Sequence, residues 1–443
     1  MPLSTSQAAG PADFTSPRQV GLPKPIAKPD KHIWGIYVAL IILSIVELYS
    51  ASSREVATST IGVFGPLVRH MAMLGLGFLC ILGLQRIHYR HFYSWSVIFV
   101  FLSVVAMVYC MFFGDIINGA RRSFSLLGFS IQPSEMLKIS AVFIIAIVAH
   151  RTQMKGGGVT NTGVTVMAAM VMLFGGMLIK QGLTNTLLLM GISISMFLIS
   201  GVQWKKLGVV IVVYAMCFGA FMLINKSGSG DEEPVAKEMV HEADKANGTS
   251  GKRQGTWAKR LERYFDNQPK YLKEINAQNR QEMYSYMAQA NGGVFGVFPG
   301  NSRETARLPL AFSDYIYSII IEDMGLIGGL VVLVLYLWLM ARASGIAARC
   351  TRAFPAFLVL GMAVMIVIQA LFHIAIVTGV FPVSGQPLPL ISKGGSSILV
   401  TSIAFGIMLS VSRHTARTGK KDAVKAEIEA LPEDLRTVNP TQL

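Results

Sequence analysis

The sequence predicts an all-α polytopic membrane protein with about ten transmembrane helices and one long extracytoplasmic loop. Three observations carry that expectation. Of the 443 residues, 52% are hydrophobic and only 14% are charged; the mean hydropathy is +0.50; and ten separate apolar stretches approach the roughly 20 residues that a helix needs to cross a hydrocarbon core. The stretches lie near 33–52, 67–85, 93–113, 134–149, 162–180, 183–201, 206–224, 314–340, 354–381 and 396–412.

Taken in order, residues 1–32 are polar and carry Pro11, Pro17, Pro23, Pro25 and Pro29. They read as a disordered cytoplasmic tail, not as the charged and apolar segments of a cleaved signal. Spans one to seven fill 33–224, a large outer loop fills 225–313, spans eight to ten fill 314–414, and a second cytoplasmic tail covers 415–443. With the amino terminus inside, the inner loops hold Arg86 and Arg90, Arg151 and Lys155, Lys205 and Lys206, then Arg342, Arg349 and Arg352; the carboxyl end adds Arg413, Arg417, Lys420, Lys421 and Lys425. Basic residues gather in short cytoplasmic loops, so this pattern predicts both termini in the cytoplasm. It also accounts for the net charge of +14 without nucleic acid as a partner. Cys80, Cys110 and Cys217 fall in apolar runs and Cys350 in a short basic loop, which offers neither a disulfide framework nor metal-ligand spacing.

The outer side carries the exceptions. NGARRSFSLLGFSIQPS, residues 118–134, sets Arg121 and Arg122 against the charge bias. Two readings stand open: arginines that snorkel to headgroup phosphates, or a site for an anionic substrate, because guanidinium forks match phosphate oxygens bidentately. Glu135 and Lys138 follow in QPSEMLK, three apart, so they either pair across one turn or join the same outer cluster of charge. The segment 225–313 holds 13 Lys or Arg and 11 Asp or Glu, too balanced for a simple anion sink. Its residues 226–256 read as a flexible linker and 257–266 as an amphipathic surface helix. Next comes NGGVFGVFPGNS, whose glycines let backbone approach a ligand or another chain. SDYIYSIIIEDMG opens the eighth span. There Asp314 or Ser313 is suited to cap the helix, and with Ser313 as cap Asp314 is released for chemistry. Glu322, about 12 Å deeper on roughly the same face, is better placed to pair than to react. Before the tenth span, FPVSGQPLPLISKGGSS is too rich in proline and glycine for regular helix, and such backbone at membrane depth needs a protein-lined or watery cavity.

These segments together carry a family resemblance. GARRSFSLLGFSIQPSEMLK resembles the GARRW…QPSE…K signature of the SEDS family (shape, elongation, division and sporulation), the FtsW and RodA membrane glycosyltransferases. LPLAFSDYIYSIIIEDMG is similar to its LPEAHTDFIFA…EELG motif, PLPLISKGGSSILVTSIAFGIMLSVSR to its LPFVSYGGSS…NISR ending, and NGGVFGVFPGNS to the glycine-rich stretch of the FtsW branch. The likeness runs from about 33 to 414.

The resemblance implies an enzyme of the bacterial inner membrane that polymerises lipid II into glycan strands at the outer face. It also implies work beside a class B penicillin-binding protein and other divisome membrane proteins in cell division. It assigns Asp314 as the catalytic residue, and Arg121, Arg122, Glu135, Lys138, Gln281, Ser302, Glu322, Lys393, Ser396 and Ser397 as substrate-binding groups. The chemistry asks for a base near the attacking hydroxyl and positive charge near the departing diphosphate. A divalent cation, Mg2+ or Mn2+, would supply such charge as well, with ligands unknown. The chain departs from the family pattern at Leu310 and Phe312, where Glu and His are common, at Gly182, where PDLGT has its acid and QGLTNT has none, and at Lys393, where tyrosine is usual. Two other classes share these features: a transporter that flips the same lipid, and a non-catalytic scaffold that activates its penicillin-binding partner through close helix contacts such as GLIGG at 325–329.

Overall fold

The computed structural model describes residues 28–51, 64–117, 120–126, 129–154, 157–179, 181–227, 264, 275–276, 279–305, 307–308, 311–350 and 352–429. The expected tail 1–27, the linker 228–256 and all of the amphipathic segment 257–266 except Tyr264 lie outside them. The helices are α1 (Lys31–Ala51), α2 (Phe64–Leu84), α3 (Tyr89–Phe113), α4 (Pro133–Arg151), α5 (Asn161–Ile179), α6 (Leu183–Ile199), α7 (Trp204–Ser227), α8 (Arg280–Gly292), α9 (Ile316–Ala347), α10 (Ala353–Val377) and α11 (Gly395–Glu429). All but α8 coincide with the ten apolar stretches. Among the described residues seven helices are both long and apolar enough to cross a membrane, and the apolar cores Val68–Leu84 and Leu183–Ile199 are shorter.

Burial sorts these helices into two kinds. In the apolar window of α11, 83% of residues are buried, against 22% for α3. α10 touches α4, α6, α9 and α11, so it forms the centre, with α11 against α2 on its flank. α3 instead turns Val97, Ile98, Phe101, Phe112 and Phe113 outward. An apolar face of that kind has no place in water and suits hydrocarbon.

The chain is mostly helical as expected, with one short sheet added at the carboxyl end of α3. Residues 115–131 form a three-stranded antiparallel sheet in the order β1 (Asp115–Ile117), β2 (Ala120–Leu126), β3 (Phe129–Ile131). Ile117 pairs with Ala120 and Leu126 with Phe129, so two residues separate each pair of strands. Asn118-Gly119 is a strong signal for so short a connection, and ARRSFSL alternates as a strand does. Phe124 packs its ring against Tyr109 of α3, 5.2 Å between centroids, which lays the sheet on the helix end.

Two further differences follow from local chemistry. The expected cytoplasmic tail from 415 begins as a continuation of α11 to Glu429, in keeping with the Ala, Lys and Glu of its sequence and with Pro432 beyond. α9, a single apolar run by hydropathy, is broken at Gly325, whose φ of 70° and ψ of −173° are not helical. The segment 293–298 fills the break. Val297 N and Phe298 N donate to the Glu322 and Asp323 carbonyls at 2.9 and 2.8 Å, while Leu326 N and Ile327 N donate to Gly293 and Val294 at 3.0 and 3.4 Å. A second chain segment thereby supplies the hydrogen bonds that the helix loses, as buried backbone requires.

Candidate outer-face site

Asp314 lies not in α9 but in the turn before it, half-buried. The helix begins at Ile316 with Tyr315 as its cap residue and no side-chain capping bond, so neither Asp314 nor Ser313 caps it. Ser313 instead donates to Asp314 Oδ1 at 2.6 Å. The turn is held from behind by the segment 382–394. Lys393 N donates to the Phe312 carbonyl at 2.9 Å and its ammonium stands 4.7 Å from the Phe312 ring centroid, a cation–π contact. Ser392 Oγ donates to the Ser313 carbonyl at 2.8 Å. Gly385 lies so close that a Cβ there would fall 2.5 Å from Asp314 Oδ2, so the missing side chain is what lets the turn close on the carboxylate.

That segment and the first turn of α11 after it reach the arginine sheet by two routes. Gln132 N, at the start of α4, donates to Ser396 Oγ at 2.9 Å, and a Cβ on Gly395 would meet the Ser130 carbonyl of β3 at 3.2 Å. Gln386 Nε2 donates to Asn185 Oδ1 at 3.1 Å; three residues earlier, Gly182 would place a Cβ 3.8 Å from Arg122 Nη2. The position where the family pattern has an acid, Gly182 here, thus lies beside Arg122. Arg121 is exposed and Arg122 half-buried on β2.

The remaining expected residues divide by burial. Lys138 is fully buried and pairs with Glu135 at 2.7 Å and with Gln369 Oε1 at 3.2 Å. Of the two readings for that pair, the ion pair is the one made. Glu322 is fully buried and accepts from Ser302 Oγ, and from Arg303 N at 3.0 Å and Glu304 N at 3.4 Å. It anchors the GNS loop, so Glu322 and Ser302 bond to each other across 20 residues. Beside them Glu304 is buried with Arg307 at 3.5 Å. Burial pushes its carboxyl up, the Arg307 guanidinium draws it down and the Glu322 charge pushes it up again, leaving it above the usual 4.5. Ser397 is buried in the first turn of α11. Gln281 stands half-exposed on the first turn of α8, which packs along α9.

Sequence reading passed over Gln369, His373, Gly385 and Gln386. Gln369 and His373 are polar groups four apart in an apolar helix, and that spacing was the available signal. Among the described residues no three His, Cys, Asp or Glu side chains are grouped to hold a metal ion.

A bundle of apolar helices with one carboxylate turn, a charged sheet and irregular chain at one mouth defines a multi-pass membrane protein with a polar site at its edge. The profile of the cell cycle protein family FtsW/RodA/SpoVE matches residues 30–417, and the chain belongs to that family. It is 30% identical over 390 residues, 87% of this chain and 94% of the other, to a Trichlorobacter lovleyi protein named "Probable peptidoglycan glycosyltransferase FtsW". It is 26% identical over 390 residues, with the same coverage of 87% and 94%, to the Escherichia coli "Peptidoglycan glycosyltransferase MrdB". Among solved structures it resembles one described as "Structural coordination of polymerization and crosslinking by a peptidoglycan synthase complex", with a TM-score of 0.64, 22% identity and coverage of 87% and 98%. Thermus thermophilus RodA follows at a TM-score of 0.59, 20% identity and coverage of 87% and 97%.

Proposed function

We propose that this chain is a peptidoglycan glycosyltransferase that polymerises lipid II at the outer face of the bacterial inner membrane, in cell division and beside a class B penicillin-binding protein. The names of its relatives support the reaction class. Its likeness to a chain from a synthase complex that coordinates polymerisation with crosslinking supports such a partner. The observation that carries the residue assignment is the meeting of the Asp314 turn with the sheet bearing Arg121 and Arg122 through the one segment 382–397.

In the reaction a sugar hydroxyl of one glycan attacks the anomeric carbon of another. The new C–O bond forms as the bond to the polyprenyl diphosphate breaks, and the diphosphate leaves with the electron pair. Asp314 takes the hydroxyl proton. Arg121 and Arg122, with Lys393, offset the charge that develops on the diphosphate. Lys138 is closed off by Glu135 and Gln369, so it acts from behind the site and not by touching substrate.

A positioned base contributes about 100- to 10,000-fold. Asp314→Asn should therefore cut polymer formation by purified protein plus partner on lipid II by that factor, read on a gel, with its melting temperature unchanged. Equal product from the variant removes the base role. Lipid movement without polymer from the wild type would favour a transporter, and partner activation alone a scaffold.

A further inference from the structure

Behind the outer mouth, α10 carries Gln369 and His373 in a run that is otherwise apolar. Four residues apart, they stand one above the other on one face. They are 3% and 1% exposed. Gln369 reaches the buried pair on α4 through Lys138 Nζ at 3.2 Å. His373 Nδ1 lies 2.6 Å from the Gln386 carbonyl oxygen. A carbonyl only accepts, so that ring nitrogen carries the proton and donates it. The residue before Gln386 is Gly385, which lies directly on the Asp314 carboxylate. One face of one helix thus touches the Glu135–Lys138 pair at one end and the turn that closes on Asp314 at the other.

We propose that Gln369 and His373 are positioning residues: His373 fixes the turn 384–386, and through Gly385 the Asp314 carboxylate, at a set offset from the charge pair held by Gln369. The proposal rests on Asp314 being the base of the glycosyl transfer. The offset matters because α4, which carries that pair, starts directly after the sheet bearing Arg121 and Arg122, so the two ends set the Asp314 base against the guanidiniums that face the departing diphosphate. A misplacement of about 1 Å between such groups costs on the order of 100-fold in rate. An apolar side chain at 373 would leave the Gln386 carbonyl without its buried donor, and the turn would move to find another.

Two amides separate this role from bulk packing. The nitrogen of an asparagine side chain reaches about as far as imidazole Nδ1, whereas that of glutamine reaches about as far as Nε2. His373→Asn can therefore donate to the Gln386 carbonyl and His373→Gln cannot. With the full chain and its penicillin-binding partner, initial rates over a range of lipid II concentrations should show kcat lowered about 10- to 100-fold in His373→Gln. KM should stay close to wild type, and His373→Asn should retain most of the wild-type kcat. A wild type that makes no polymer removes the glycosyltransferase reading and this proposal with it. Polymerisation by the wild type with an unchanged kcat in His373→Gln, an equal loss in His373→Asn, or a change confined to KM overturns the positioning role alone.

Discussion

Lys138 is fully buried, and among the described residues its ammonium is met by Glu135 and Gln369. Removing one partner of a buried ion pair leaves the other uncompensated, at about 3–5 kcal/mol. Glu135→Ala should therefore lower thermal stability by that amount, while Glu135→Leu combined with Lys138→Met restores much of it. If the single and the double variant melt alike, a stranded Lys138 charge is not what costs the stability. Glu304 gives a second residue-scale test through pH. Its carboxyl is raised above 4.5 by burial, against the pull of Arg307. The folded state then holds a proton that the unfolded chain gives up, so this group's contribution is complete below the unfolded value and is lost as pH rises through the folded one. Glu304→Gln should match wild type in acid and melt higher at neutral pH. Parallel melting curves for the two proteins would refute it. Arg121, Arg122 and Asp314 drew notice in the sequence because charge at a membrane edge needs a reason; the roles proposed for them come from the family resemblance. Glu322 was legible as a pairing group, although its partners, Ser302 and the backbone of 303–304, were not, because contacts across 20 residues leave no period to read.

At the scale of elements, the break in α9 depends on three glycines packed backbone to backbone. A Cβ on Gly292 would overlap the Ile321 carbonyl, one on Gly296 the Asp323 carbonyl and one on Gly325 the Val294 carbonyl. Backbone atoms that are hydrogen-bonded on both sides cannot retreat as a flexible side chain can. Gly325→Ala adds a left-handed φ to the collision and should destabilise by about 1–3 kcal/mol or more. Gly345→Ala, where nothing lies within 4 Å, should be neutral or gain up to about 1 kcal/mol. Similar melting temperatures for the two variants would mean that the segment 293–298 does not depend on its seat in α9. Hydropathy could foretell that 314–340 was apolar but not that it was broken, because Gly325 sits among residues suited to an unbroken helix. The sheet escaped for a related reason: its strands are as short as three residues, marked by little more than Asn118-Gly119 and the alternation in ARRSFSL. The ten helical stretches were legible because each requires a run of apolar residues long enough to bury itself in hydrocarbon.

For the whole molecule, the site has a function only if the Asp314 turn and the sheet face the side where lipid-linked sugars are displayed. The basic loops predict which side that is. Lys205 and Lys206 lie between α6 and α7, and Arg349 and Arg352 between α9 and α10, and short loops of that charge stay in the cytoplasm. The one crossing α7 separates Lys205 and Lys206 from Asn301, and the one crossing α9 separates Arg349 and Arg352 from Asp314, so basic loops on the inside put Asn301 and Asp314 outside. In a chain with Cys80, Cys110, Cys217 and Cys350 replaced by alanine, Asn301→Cys and Lys205→Cys place single thiols at two exposed positions. A membrane-impermeant maleimide added to intact cells with an opened outer envelope should label Asn301→Cys at once, and Lys205→Cys only after the inner membrane is permeabilised. The opposite order would put Asp314 on the cytoplasmic side, away from any growing glycan, and the chemistry assigned to it would lose its substrate even if every contact around the carboxylate stood as described.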